Sequence, residues 1–339
     1  MPPTHDVMVQ GHGLAGAAFA YECRRRGLRV AVVGAARPGE ASRAAAGVVN
    51  PVVVRRLLPS WRAHTLLPIA EEHYRRAGTR AWHPLPLHTV LPNAAVAAAW
   101  AARQPDADLA PFVSPGRHAV PGVHAPHGTA RVHACARLNV HAHLDALEAR
   151  LRAEGHWVPA DRHAVQHSGG SFHAGVCSAP LLVRCTGAFD TLPGLVPVKG
   201  ETLELRIPGL ALDHLVHRHV FVLPLGDDRY RVGATFKWDD VWEGPTEEGR
   251  RWLLEKAAAL LGAGAMARAE VIGHRAGVRP TARDRRPIMG RIAPQEAVLN
   301  GLGARGVLLA PWCARHLAAH LFDGAPLDPE VDLARTGGT

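Results

Sequence analysis

The feature that most narrows the fold lies at the N-terminus. Asp6-Val7-Met8-Val9-Gln10 is a short apolar strand that runs directly into Gly11-His12-Gly13-Leu14-Ala15-Gly16. Ala17 to Cys23 then reads as a helix, with Arg24-Arg25-Arg26 in its last turn and Gly27 just beyond. Leu28 to Val33 follows as a second buried strand. A strand, a GxGxxG turn, a helix and a second strand within about 30 residues is the pattern of a dinucleotide-binding βαβ unit. Gly11 permits the tight turn, Gly13 lets the backbone approach a pyrophosphate, and Gly16 lets helix and strand pack closely. The phosphates then meet Leu14 and Ala15 at the helix N-terminus, where free N–H groups and the dipole favour an anion.

One part of the pattern is missing. An acid that holds the adenosine ribose is expected at the end of the second strand, about twenty residues on, and that place is Gly34. Arg37 just beyond suits a 2′-phosphate and keeps an NADP-dependent dehydrogenase open. Glu40 is the nearest acid that could reach back from the loop.

The 339 residues fit about two packed units by the prior of roughly 150 residues each. Helices are expected from Trp61 to Arg76 with a kink at Pro68, and from Val140 to Glu154 behind an Asn139 N-cap. Strands are expected at Leu85 to Leu91, Leu181 to Cys185 and Glu201 to Ile207, and as a pair joined around Ser168-Gly169-Gly170. A hairpin of Val220 to Leu225 and Tyr230 to Phe236 precedes helices from Pro245 to Leu261 and from Pro311 to Leu321. These alternating textures predict a nucleotide domain (1–80, 136–195 and 270–325) interrupted by a β-rich substrate domain (81–135 and 196–269).

Composition excludes several classes. No apolar run reaches the roughly 18 residues of a membrane span. Met1-Pro2-Pro3-Thr4-His5-Asp6 lacks a basic segment followed by an apolar one, so the expectation is a cytoplasmic protein without a signal peptide. Five scattered cysteines with no CxxC pair read as reduced thiols. The His141/His143 and His217/His219 pairs have no further ligand at metal spacing, so no metal is expected and hydrogen-bonded or solvated imidazoles are. The net charge of +9 is almost all arginine, dispersed and without interleaved aromatics, which leaves a nucleic-acid partner open without indicating one.

Further segments carry a family resemblance. Ala41-Ser42-Arg43-Ala44-Ala45-Ala46-Gly47-Val48 resembles the run that lies along the flavin in the D-amino-acid oxidase/glycine oxidase superfamily of FAD enzymes. Thr186-Gly187-Ala188-Phe189 looks like the family's strand end near the pyrophosphate, and Gly277-Val278-Arg279-Pro280 like its "G-L-R-P" motif. Val222 to Leu225, Tyr230 to Thr235, Arg286 to Gly290 and Gly301 to Pro311 follow in family order. The resemblance therefore covers nearly the whole chain. It implies an α/β fold, a Rossmann-type FAD-binding domain interleaved with a smaller, mainly antiparallel α+β substrate domain, glycine-oxidase-like.

It also implies FAD as cofactor and hydride transfer from the carbon beside the nitrogen of a small amine or amino acid. Oxygen or a partner would take the electrons. No general base is required, because a neutral amine donates hydride once positioned. Carried over residue by residue, the FAD contacts are Gly11, Gly13, Leu14, Ala15, Gly16, Ser42, Arg43, Ala46, Gly47, Thr186, Gly187, Gly303, Ala304, Arg305, Gly306 and Val307. The last five precede a Pro311 helix whose N-terminus would face the flavin pyrimidine edge. Arg279 would grip the substrate carboxylate with a planar guanidinium. Phe221 stands where glycine oxidase has a substrate-binding tyrosine, and Arg231 where some sarcosine oxidases have a lysine that assists reaction with oxygen. The resemblance extends to the oxidase domain of the bifunctional tRNA wobble-uridine enzyme, and a flavin-binding protein without turnover stays open as well.

Overall fold

A computed structural model describes residues 4–337. Met1, Pro2 and Pro3, which belong to the segment read for a leader, lie outside the described residues. Two large sheets organise the chain. The first runs in the order Trp157–Pro159, Val30–Gly34, Val7–Gln10, Leu182–Arg184, Glu296–Asn300, Ile288–Ala293. Its first five strands are parallel and its last is antiparallel to its neighbour. Val7 to Val9 and Val30 to Val33 are wholly buried, the near-continuous apolar texture that a parallel sheet covered on both faces requires. Alternation divides them. Val7, Val9, Val30 and Val32 pack on the helices Leu14–Arg25, Val140–Ala153 and Gly306–Asp323. Met8, Ala31 and Val33 face a three-stranded meander whose Phe172, Ala174 and Ala179 cover the other side.

The second sheet runs Glu270–Ala282, Leu195–Arg206, Arg229–Gly233, Phe221–Gly226, Leu215–His217, Leu87–Val90, Thr129–Val132. All its pairs are antiparallel except Leu215–His217 with Leu87–Val90. Helix Glu247–Leu261, capped by Thr246, buries Leu253, Ala257 and Leu260 against Leu203, Leu205 and Val232 on one face. Leu87, Leu215 and Leu223 pack on Trp100 and Phe112 on the other. All five cysteines are buried and unpaired, and among the described residues no helix is long and apolar enough to cross a membrane.

Several expected elements change their limits. The strand read from Glu201 begins at Leu195, and the one read to Phe236 stops at Gly233. Three strands occupy 166–179 in place of two. The final helix begins at Gly306, so Pro311 lies inside it instead of starting it. An interior proline has no N–H for the carbonyl four residues back, which is that of Val307. The buried Tyr74 hydroxyl donates to that carbonyl at 3.0 Å, supplying the donor that Pro311 lacks. Tyr74→Phe should therefore leave a buried carbonyl unpaired and lower stability by about 1–3 kcal/mol, seen as a lower urea midpoint at unchanged slope.

Candidate active site

A cavity of about 480 Å³ lies between the C-terminal ends of the parallel strands and one face of the antiparallel sheet. Gln10, Gly34, Thr186 and Asn300 contribute from the strand ends, and Gly200, Thr202, Phe221 and Arg279 from the sheet. Its floor is the glycine turn. Gly11 has φ +105°, and a Cβ there would lie 2.4 Å from Cys185 O. A Cβ on Gly16 would lie 1.9 Å from Gly11 O, so Gly16 sits beneath the turn and does not line the cavity. Gly13, Leu14 and Ala15 do line it. Ser42 Oγ accepts from Leu14 N at 3.0 Å, and a Cβ on Gly13 would stand 2.8 Å from that oxygen. Ser42, Ala46 and Gly47 form the adjoining wall. Arg43 does not: it pairs with Asp145, and with Glu148 at 3.5 Å, outside the cavity.

The opposite wall is tied down by side chains. Asn300 Nδ2 donates to Gly187 O at 2.9 Å, and Thr186 Oγ1 to Asp190 Oδ2 at 2.6 Å. Gly303, Ala304 and Arg305 form a single tight turn that continues into the helix at Gly306 and Val307, and all five line the cavity. The helix N-terminus that faces the site is thus at Gly306, five residues earlier than expected. Its first N–H groups have no partner within the helix.

The ribose end is built differently from the usual pattern. A Cβ on Gly34 would lie 2.6 Å from the Trp157 ring and 2.9 Å from His12 Cβ, which leaves no room for an acid there. Trp157 meets His12 edge-on at 4.9 Å. Both His12 ring nitrogens and Trp157 Nε1 are buried without a hydrogen-bond partner among the described residues. Burial, helped by Arg43 and His143, pushes His12 down to about 3, so it is neutral at physiological pH. Glu40 is the single acid on the cavity wall, with Oε1 3.9 Å from where a Gly13 Cβ would be. Burial raises its pKa against the pull of Arg43 and Arg37.

Arg279, Phe221, His217 and His219 line the cavity on the side of the antiparallel sheet. Arg279 Nη1 donates to Lys199 O at 3.2 Å and Thr235 O at 3.1 Å, and its guanidinium stacks over Phe236 at 4.1 Å. It has no carboxylate partner among the described residues. Its Nη2 occupies the space above Gly200, where a Cβ would come within 1.9 Å. Burial pushes Arg279 down to about 10, which still leaves it charged at neutral pH. Arg231 is elsewhere: it is buried behind the wall, donating to Ala45 O and Glu204, both at 3.3 Å, and does not line the cavity. His217, expected as a hydrogen-bonded or solvated imidazole, is half-buried; its Nδ1 has no hydrogen-bond partner among the described residues, and burial pushes it down to about 4. Sequence reasoning passed over Gly200, Phe236 and Asn300, whose roles come from register and packing.

The wall from Glu40 through Gly13–Ala15 to Gly303–Val307 is made of backbone amides and small residues, and an extended FAD could lie along it. Arg279 lines the same cavity from the antiparallel sheet. The chain is 34% identical over 138 residues to glycine oxidase of Bacillus licheniformis, 40% of this chain and 36% of that one. It is 36% identical over 132 residues to the tRNA 5-methylaminomethyl-2-thiouridine biosynthesis bifunctional protein MnmC of Caulobacter sp. (strain K31), 38% of this chain and 22% of that one. The matched stretches thus span well under half of each relative. Among solved structures, iminodiacetate oxidase (IdaA) from Chelativorans sp. BNC1 aligns with TM-score 0.79 and 22% identity over 97% of this chain and 98% of that one. Glycine oxidase from Geobacillus kaustophilus aligns with TM-score 0.77 and 20% identity over 99% and 98%. At these identities the likeness is one of fold, a Rossmann-type domain joined to a mainly antiparallel sheet. Residues 6–320 match the model of the DAO family, FAD dependent oxidoreductases, and the chain belongs to that family.

Proposed function

We propose that this FAD-dependent oxidoreductase oxidises the C–N bond of a small amine or amino acid that carries a carboxylate. The observation that carries the reading is Arg279. A guanidinium buried beside an aromatic ring and paired only with carbonyls is short of negative charge. A substrate carboxylate would complete it through two parallel hydrogen bonds. Bound FAD supplies the acceptor for the hydride that leaves the carbon beside nitrogen, and water then hydrolyses the resulting imine to a carbonyl and an amine or ammonia. The protein's part is placement and electrostatics. Arg279 fixes one end of the substrate, so that its carbon is presented in one orientation. The amides at Gly306 and Val307 would stabilise negative charge at the bound ring.

Glu40, the wall's one carboxylate, is assigned to the ribose hydroxyls in place of an acid at residue 34. Of the carried-over cofactor contacts, Gly16 and Arg43 support the wall without forming it. Arg231 braces it through Ala45 and is not assigned to the chemistry. The division into a nucleotide domain (1–80, 136–195 and 270–325) and a substrate domain (81–135 and 196–269) is part of this proposal, with Glu270–Ala282, read with the first, moved to the second because it pairs in the antiparallel sheet. The five unpaired thiols favour a reducing cytoplasm.

A second reading, a tRNA wobble-uridine side chain as substrate, is favoured by the similarity to the MnmC protein and by the net charge of +9. Tight tRNA binding that weakens steeply with salt would establish it and displace the small-substrate reading.

Three measurements test the main reading. The purified protein should show flavin absorbance that is bleached anaerobically by N-alkyl glycines, D-amino acids or proline. A colourless protein that FAD cannot reconstitute would sink it. Arg279→Ala should raise KM for a carboxylated amine about 100-fold and leave the corresponding amine without a carboxylate little changed; equal effects on both would remove Arg279 from substrate binding. Glu40→Ala should weaken FAD binding to the apoprotein about tenfold, read by flavin fluorescence titration.

A further inference from the structure

We propose that a second ligand site, for a compact oxyanion carrying two negative charges, lies on the face of the antiparallel sheet turned away from the cofactor cavity. Successive side chains of a strand point to opposite faces. Leu87 lines the cofactor cavity, whereas His88, the next residue, opens into a separate depression of about 630 Å³. Arg131 of the neighbouring edge strand lines the same depression, joined by Arg117, His118, Asp213 and His214 from two loops. The loop carrying Arg117 and His118 is held over the edge strand by paired backbone hydrogen bonds between His118 and Thr129, both 2.8 Å.

The polar groups here are arranged but incomplete. The His88 ring meets those of His118 and His214 edge-on, at 5.7 and 5.0 Å. Thr129 Oγ1 gives its one proton to His118 O at 3.1 Å, so it accepts from His88 Nδ1 at 2.9 Å. That leaves Nε2 as the titrating nitrogen of His88. His118 Nε2 and Arg131 Nε are buried with no hydrogen-bond partner among the described residues. Neither Arg117 nor Arg131 has an ion pair among them. The one acid, Asp213, is paired with His214, and its side chain is 81% exposed at the rim.

The two guanidiniums beside this cavity repel a metal ion and attract an anion; no metal-binding group of His, Cys, Asp and Glu occurs among the described residues. Burial and the neighbouring His214, His118 and Arg131 push His88 down to about 4, with Asp213 opposing. A dianion placed among these groups reverses that balance and favours protonated His88, so binding should take up a proton. A planar guanidinium matches phosphate and carboxylate oxygens equally well. The shared chemistry is therefore a doubly charged oxyanion, from a phosphoryl compound or a dicarboxylate.

The test is calorimetric titration of the FAD-loaded protein, so that the cofactor cavity is filled, with inorganic phosphate and with malonate in chloride buffer. Saturable binding of either is expected, tightening as the pH falls from about 8 to about 6. Arg131→Gln and the exposed Arg117→Ala should each weaken it about tenfold, with the flavin spectrum unchanged as the control for folding. Preference for phosphate assigns the site to phosphoryl ligands, and preference for malonate to dicarboxylates. The proposal is overturned if neither anion saturates below about 10 mM, or if binding survives both substitutions at full strength.

Discussion

Everything on the cofactor side depends on one close approach of backbone to backbone. Gly16 lies against the carbonyl of Gly11, and Gly11 against the carbonyl of Cys185, at separations that exclude any side chain. This contact sets the first helix directly on the sheet and aims its N-terminus at the cavity floor. It also fixes the strand end from which Thr186 and Gly187 emerge. Gly34 obeys the same rule for another reason, since Trp157 and His12 have filled the place of its side chain. The walls of the site are then added by elements distant in sequence, each held through a single polar tie such as Ser42 to Leu14 or Asn300 to Gly187.

Two arginines on the antiparallel sheet show how position decides what a charge can do. Arg231 and Arg279 are both largely buried, and both resemble functional positions of the family. Arg231 has Glu204 beside it on the adjoining strand and spends its hydrogen bonds on that carboxylate and on a wall carbonyl. Arg279 has only carbonyls and an aromatic face. A charge already neutralised is a strut, whereas one left unneutralised in a cavity is a receptor for something else.

The βαβ unit was legible because its signals are local: a strand, three glycines at fixed spacing and a helix with its stop. The hairpin, and the helix behind its Asn139 cap, were legible for the same reason. The long strand Glu270–Ala282 was not, because it mixes arginine, histidine, proline and glycine and is stabilised by pairing with Leu195–Arg206 rather than by its own pattern. The start of the last helix was misread because proline is a good first residue of a helix, and nothing local announces that a tyrosine more than two hundred residues away supplies the missing donor. For the site, Arg279 could be found from its motif. The partner of Arg231, the covering of Gly34 and the solitary Nδ1 of His217 all depend on tertiary neighbours, which no single window of sequence contains.

The arrangement of Tyr74, Val307 and Pro311 ties together the history of three positions. A helix with an ordinary residue at 311 would satisfy the Val307 carbonyl itself, and a hydroxyl at 74 would then only add a second donor to its other lone pair. A chain that loses the proline is released from the tyrosine, and one that acquires the proline first must pass through a destabilised intermediate unless the tyrosine is already present. Among relatives the two residues should therefore come and go as a pair, tyrosine before proline. That order of substitution would leave a trace in a family tree where no trace exists in any one sequence.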